Sequence, residues 1–130
     1  MPNKRRILIV DDADEARDIL AIALATVANA SVETASSAED ALSRLGAEPV
    51  DVLVTDFRMR GMNGFELLTE LKGRGIWPRC GAVVMSGELN PDLRRRALEE
   101  GAAAFFSKPF STGEVRRSIL LLLESSHDAV

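Results

Sequence analysis

Short apolar runs recur along the chain, and longer amphipathic stretches separate them. The runs cover residues 7–10, 52–55, 82–85 and 103–106, and the more polar segment 31–35 is a fifth candidate. The four apolar runs lack the alternation of a half-exposed strand, which indicates strands that helices cover on both faces. The pattern therefore predicts an α/β domain of five strand and helix pairs around a parallel sheet, with 31–35 at an edge.

Helical stretches with apolar stripes lie between these runs. Ser36 followed three residues later by Glu39 matches a capping box at the start of a helix. We expect helices near 37–45, 91–100 and 112–124. The polar residues 125–130 are expected to form a flexible C-terminal tail.

Size and composition indicate one soluble domain. The 130 residues carry 20 acidic and 16 Lys and Arg residues, so the net charge is -4, which disfavours coating of nucleic acid or of an anionic membrane. Cys80 is the only cysteine, which is typical of a reducing, cytoplasmic compartment. The apolar stretch 19–28 is shorter than the roughly 18 to 20 residues of a membrane span, so we expect no membrane contact.

Polar side chains follow four of the five predicted strands. Asp11 and Asp12 follow the first strand, Asp56 the third and Ser86 the fourth, and Lys108 comes shortly after the fifth. Any one of them alone is more simply a turn residue, a helix cap or a solvated side chain. Because parallel strands end at the same edge of a sheet, we expect the five to converge there.

Three carboxylates at one edge repel one another unless a cation lies between them. Mg²⁺ fits best, because it takes one or two carboxylates, keeps several waters and binds phosphate oxygens, and Mn²⁺ is a possible substitute. With a carboxylate nucleophile, a metal and a lysine, the set matches the requirements of phosphoryl transfer.

Four segments resemble the receiver domain of bacterial two-component response regulators, and together they extend over essentially the whole chain. They are ILIVDD at 7–12, VTDFRMRGMNG at 54–64, VMSG at 84–87 and FFSKPF at 105–110. The resemblance implies that residues 1–124 form a receiver domain. It also implies a flavodoxin-like, doubly wound (βα)5 three-layer sandwich whose parallel strands take the order 2-1-3-4-5.

The resemblance implies a phosphoacceptor and a metal site. Asp56 would accept a phosphoryl group from a phosphohistidine of a histidine kinase or phosphotransfer protein. Asp11, Asp12, Asp56 and the backbone carbonyl of Arg58 would hold Mg²⁺. The chain would be no conventional enzyme, because it would catalyse only its own phosphorylation and dephosphorylation.

The resemblance also implies a switch. Lys108 would pair with the phosphate, Ser86 would donate a hydrogen bond to it, and Phe105 would turn inward. The surface of the fourth helix, fifth strand and fifth helix would then change its affinity for a downstream protein. The receiver would be a monomer or would dimerise on phosphorylation, without direct nucleic-acid binding.

Two features of the loops qualify this interpretation. Arg60 stands where a proline is usual in the family, and the missing ring predicts a less rigid loop and weaker metal binding. Arg58 and Glu88 flank the expected approach of water, so they are either a charge pair that slows phosphate loss or two solvated side chains.

Other interpretations of the sequence remain open. A Mg²⁺-dependent phosphatase of the haloacid dehalogenase type also uses a strand-end aspartate, but it carries a second acid where this chain has Arg58. A flavodoxin-like flavin binder needs hydroxyl and N–H donors where this chain has Asp11 and Asp12. A single-domain regulator is favoured over a receiver cut from a longer regulator or hybrid kinase.

Overall fold

Strands and helices alternate strictly along the chain in the computed structural model, which describes residues 4–128. The strands are β1 (Arg5–Val10), β2 (Ala30–Ala35), β3 (Val52–Asp56), β4 (Gly81–Ser86) and β5 (Ala104–Ser107). The helices are α1 (Asp14–Leu24), α2 (Ala38–Ala47), α3 (Gly64–Arg74), α4 (Asp92–Glu99) and α5 (Thr112–Asp128). All strand pairs are parallel and their order is β2-β1-β3-β4-β5, which confirms the predicted fold class.

The sheet separates two apolar cores. Successive side chains of a strand point to opposite faces, so Leu8 and Val10 of β1 join the core formed with α2, α3 and α4. Ile7 and Ile9 join the other core, with α1 and α5. This double coverage is the physical reason for the continuous apolar runs in β1, β3 and β4.

The edge strands differ from the central ones as expected. β2 has a single buried residue among six, whereas every residue of β3 and β4 is buried. The polar character of segment 31–35 therefore reflects its place at the edge of the sheet.

The N-terminal cap of α2 and the C-terminal end of α5 differ from the sequence expectation. The cap of α2 is Ser37, whose side chain accepts a hydrogen bond from the backbone N–H of Asp40, so the capping box assigned to Ser36 and Glu39 is wrong. The Glu39 carboxylate accepts the backbone N–H of Met62 instead, at 3.4 Å.

Helix α5 extends four residues beyond the expected end at 124. The expected tail at 125–130 is therefore helical as far as Asp128, because Ser125, Ser126 and His127 include no glycine or proline that would stop a helix. Residues 129 and 130 lie outside the described residues. None of the helices within residues 4–128 is long and apolar enough to span a bilayer.

Candidate functional site

Two aspartates leave β1 at the carboxyl edge of the sheet. Asp11 is buried, and its carboxylate accepts the backbone N–H of Ala13 at 2.9 Å, which turns the chain toward α1. The backbone N–H of Asp11 still bonds to the carbonyl of Ala35, so the residue is held by the sheet. Asp12 is more exposed, with 22% of its side chain accessible against 2% for Asp11.

Asp56 is the last residue of β3 and is buried. Its Oδ1 atom accepts the backbone N–H of Phe57 at 3.1 Å. The start of α3 packs closely against this strand end, because a Cβ on Gly64 would lie 2.7 Å from the backbone oxygen of Asp56. A glycine at this position therefore allows the helix to approach the acidic residue.

The three carboxylates converge as the sequence predicted. One carboxylate oxygen from each of Asp11, Asp12 and Asp56 lies within 4.8 Å of the others. Burial, reinforced by the negative charge of Asp11, raises the pKa of Asp56 to about 6, although Lys108 and the Phe57 N–H act in the opposite direction. Clustered hard oxygen donors of this kind suit Mg²⁺, whose charge relieves the repulsion between them.

Lys108 reaches the same cluster from the loop after β5. Its Nζ atom lies 3.3 Å from Oδ1 of Asp56 and 3.7 Å from Oδ2 of Asp11. The backbone N–H of Lys108 donates to the carbonyl of Ser86 at 2.7 Å, which anchors the loop to the end of β4. The ammonium group is thus positioned to contact any anion on Asp56.

Ser86 is the last residue of β4, and Phe105 lies on the neighbouring strand β5. Ser86 is buried, and its hydroxyl oxygen accepts the backbone N–H of Glu88 at 3.0 Å. Phe105 is buried, and the Arg94 guanidinium lies 5.3 Å from its ring centroid.

Charged side chains line the rim of the site. Arg58 and Glu88, from the loops after β3 and β4, form an ion pair with a nitrogen to oxygen distance of 2.5 Å. Arg60 donates its backbone N–H to Oδ2 of Asp12 at 2.9 Å, and its Nε atom lies 3.4 Å from the same oxygen. The sequence analysis did not predict the contact between Arg60 and Asp12. The available signal was that Arg60, unlike the proline usual at this position, has a backbone N–H that can donate.

Comparisons with known proteins agree with this geometry. Residues 7–120 match the model of the response regulator receiver domain family. The chain is 37% identical over 112 residues to the two-component response regulator ORR11 of Oryza sativa subsp. indica, covering 85% of this chain and 76% of that protein. It is 36% identical over 117 residues to the transcriptional regulatory protein FixJ of Azorhizobium caulinodans, covering 88% of this chain and 53% of that protein.

Solved structures have the same fold. The crystal structure of FixJ-N superposes with a TM-score of 0.83 at 31% identity, covering 95% of this chain and 96% of that one. A CheY-like receiver domain from Methanospirillum hungatei JF-1 superposes with a TM-score of 0.85 at 25% identity, covering 98% of this chain and all of that one.

The fold and the site define the class of this protein: it is a doubly wound α/β domain with an acidic cluster at the carboxyl edge of its sheet. The chain belongs to the response regulator receiver domain family of two-component systems. This assignment favours the receiver over the phosphatase and the flavin binder. The relatives come from plants as well as bacteria, so a bacterial origin stays a prediction.

Proposed function

We propose that Asp56 accepts a phosphoryl group from a phosphohistidine of a histidine kinase or phosphotransfer protein. The observation that carries this proposal is the contact of the buried Asp56 carboxylate with Lys108, beside two further aspartates. In the transfer, a carboxylate oxygen of Asp56 forms a bond to phosphorus. The bond from phosphorus to the imidazole nitrogen breaks, and its electron pair returns to the ring.

The product is an acyl phosphate whose charge needs compensation. Lys108 supplies an ammonium group that is already 3.3 Å from the acceptor carboxylate. The Ser86 hydroxyl oxygen is used as an acceptor by Glu88, so its own proton is free to bond a phosphate oxygen. We expect these two donors to bind different oxygens of the phosphoryl group.

A divalent cation completes the charge balance. The three clustered carboxylates and the backbone carbonyl of Arg58 would hold Mg²⁺, or Mn²⁺ in its place, and the cation would neutralise charge on the phosphoryl oxygens. The chain would thus catalyse its own phosphorylation and the later hydrolysis of its acyl phosphate, as a signalling module of the cytoplasm.

The proposed signalling output is a change in a protein-binding surface. A hydrogen bond from Ser86 to the phosphate would draw in the loop after β4, because the backbone N–H of Glu88 in that loop already donates to the Ser86 hydroxyl oxygen. Phe105, which pairs with Val84 of β4, would move with that loop. The surface formed by α4, β5 and α5 would then change its affinity for a downstream protein. The receiver would act as a monomer or as a dimer that forms on phosphorylation.

An apolar groove of about 370 Å³ beside Lys108 suits the docking of the donor protein. The groove is lined by Ala16, Ile19, Leu20, Lys108, Pro109, Phe110 and Thr112. Ile19 and Ile22 on α1 are 57% and 73% exposed. A donor must bring its phosphohistidine to Asp56, and this groove is an apolar surface next to Lys108, which contacts Asp56.

Intact mass spectrometry after incubation with acetyl phosphate and Mg²⁺ tests the acceptor. We expect the parent to gain one phosphoryl group, and Asp56→Asn to gain none. Asp18→Asn, which removes an exposed carboxylate on α1, serves as the matched control and should behave as the parent. A stable adduct on Asp56→Asn equal to that of the parent would refute the assignment, and so would no adduct on the parent under rapid quenching.

Repeating the incubation with a metal chelator tests the cation. We expect phosphorylation to fall steeply without divalent cations and to return with either Mg²⁺ or Mn²⁺. Phosphorylation that is equally fast in the chelator would contradict the metal site and leave Asp56 as the acceptor.

A further inference from the structure

Arg60 contacts the acidic cluster in a way that its place in the sequence did not predict. Its backbone N–H and its guanidinium Nε both address Oδ2 of Asp12, at 2.9 Å and 3.4 Å. The Arg60 side chain is 89% exposed, and among the described residues Asp12 is its only ion-pair partner. In this structure the guanidinium therefore lies against the Asp12 carboxylate.

Asp12 is also the most exposed of the three clustered carboxylates. A divalent cation that enters from solvent meets it at the mouth of the site. Whichever oxygen of Asp12 the cation binds, it must share that carboxylate with a guanidinium that carries the same sign of charge. Either Arg60 leaves Asp12 or the cation binds against its repulsion, and both outcomes weaken cation binding.

We infer that Arg60 is a positioning residue that lowers the affinity of the acidic cluster for divalent cations and releases Asp12 when a cation binds. The inference rests on the proposed function only in taking this cluster as the cation site. A proline at this position would offer neither an N–H nor a positive charge. Arginine therefore adds both a donor and a competing cation at the mouth of the site.

Calorimetric titration of the unphosphorylated protein with Mg²⁺ tests the inference. Exposed ion pairs contribute modest energies, so we expect Arg60→Gln to bind Mg²⁺ about two- to fivefold more tightly than the parent. Arg60→Lys keeps the charge and should stay close to the parent. The gain of Arg60→Gln should shrink in about 1 M monovalent salt, where the screening length is only about 3 Å.

Arg74→Gln is the matched control. It removes the same charge from an exposed arginine at the far end of α3, where the partner is Glu70 rather than a cluster residue. We expect it to bind Mg²⁺ as the parent does. If it binds as tightly as Arg60→Gln, net charge explains the effect and the inference is wrong.

Nuclear magnetic resonance gives a second readout. The Nε–H and backbone N–H resonances of Arg60 should shift during a Mg²⁺ titration. The midpoint of this shift should fall at the same Mg²⁺ concentration as the midpoint of the calorimetric titration. If Arg60→Gln binds no more tightly, or these resonances do not move, Arg60 has no such role although the metal site stands. A parent that binds no divalent cation would contradict the metal site as well.

Discussion

Replacing Asp56 with asparagine is expected to stabilise the fold at neutral pH in the presence of a metal chelator. The Asp56 carboxylate is buried and faces Asp11, and these two influences raise its pKa to about 6. Asparagine keeps an oxygen that can accept the Phe57 N–H, but it carries no charge to desolvate. The variant therefore removes an unfavourable interaction and keeps the local hydrogen bond.

The size of the effect follows from the pKa. A carboxyl with a pKa of about 6 rather than 3.8 is harder to ionise in the folded protein, by about 3 kcal/mol. Lys108 loses its contact with Asp56 in the variant but keeps Asp11 at 3.7 Å, which reduces the gain. We expect Asp56→Asn to raise the free energy of unfolding by about 1 to 3 kcal/mol at pH 7.

The effect has a defined pH dependence. Between about pH 4 and pH 6 the folded state binds the proton on Asp56 while the unfolded state has released it, so the parent loses stability as pH rises through this window. Asp56→Asn lacks this loss. The difference between the two proteins should therefore be small at pH 4 and reach its full size above pH 6.

Urea denaturation at pH 4, 5, 6 and 7, followed by circular dichroism with a chelator present, measures these free energies. Asp18→Asn, which removes one exposed carboxylate on α1, is the control for the loss of a charge, and we expect its effect on the free energy of unfolding to be small. A variant that is less stable than the parent at pH 7, or a difference that does not change with pH, would refute the reasoning. Added Mg²⁺ should narrow the stability difference at pH 7, because the parent keeps all three clustered carboxylates and should bind the cation more tightly than Asp56→Asn does.

Three further substitutions test other contacts. Arg58→Ala is expected to lose its phosphoryl group faster than the parent, because it removes the ion pair with Glu88 across the mouth of the site. Mass spectrometry at successive times measures the two rates, and equal rates would contradict the prediction. Gly64→Ala should destabilise the fold by about 1 to 3 kcal/mol in urea despite the better helix propensity of alanine, because its Cβ would meet the backbone oxygen of Asp56 at 2.7 Å. Arg94→Ala should destabilise the fold by about 0.5 to 1 kcal/mol, because it removes the guanidinium that lies over the ring of Phe105. An unchanged urea midpoint would show that this contact contributes nothing.

The convergence of the site was predictable because it follows from topology. Parallel strands end at one edge, so acidic residues that follow β1 and β3 must approach each other once the sheet order is known. Asp11, Asp56 and Lys108 therefore lie where the strand pattern and the family resemblance placed them.

Contacts of long exposed side chains were not predictable in the same way. The run of arginines on α4 has the pattern of a solvated helix face, yet Arg94 and Arg96 lie over the rings of Phe105 and Phe65. Those rings come from β5 and α3, so the stacking depends on how α4 packs between them. No local spacing on α4 encodes it.

The sequence by itself determined the alternation of strands and helices, the central position of the apolar strands and the acidic edge, because these depend on short-range periodicity and on the shared direction of parallel strands. Only the tertiary structure decided that Arg60 lies on Asp12 and that Arg58 lies on Glu88. Each of these pairs joins loops that are far apart in the chain, and the distance between such loops is set by packing across the whole sheet.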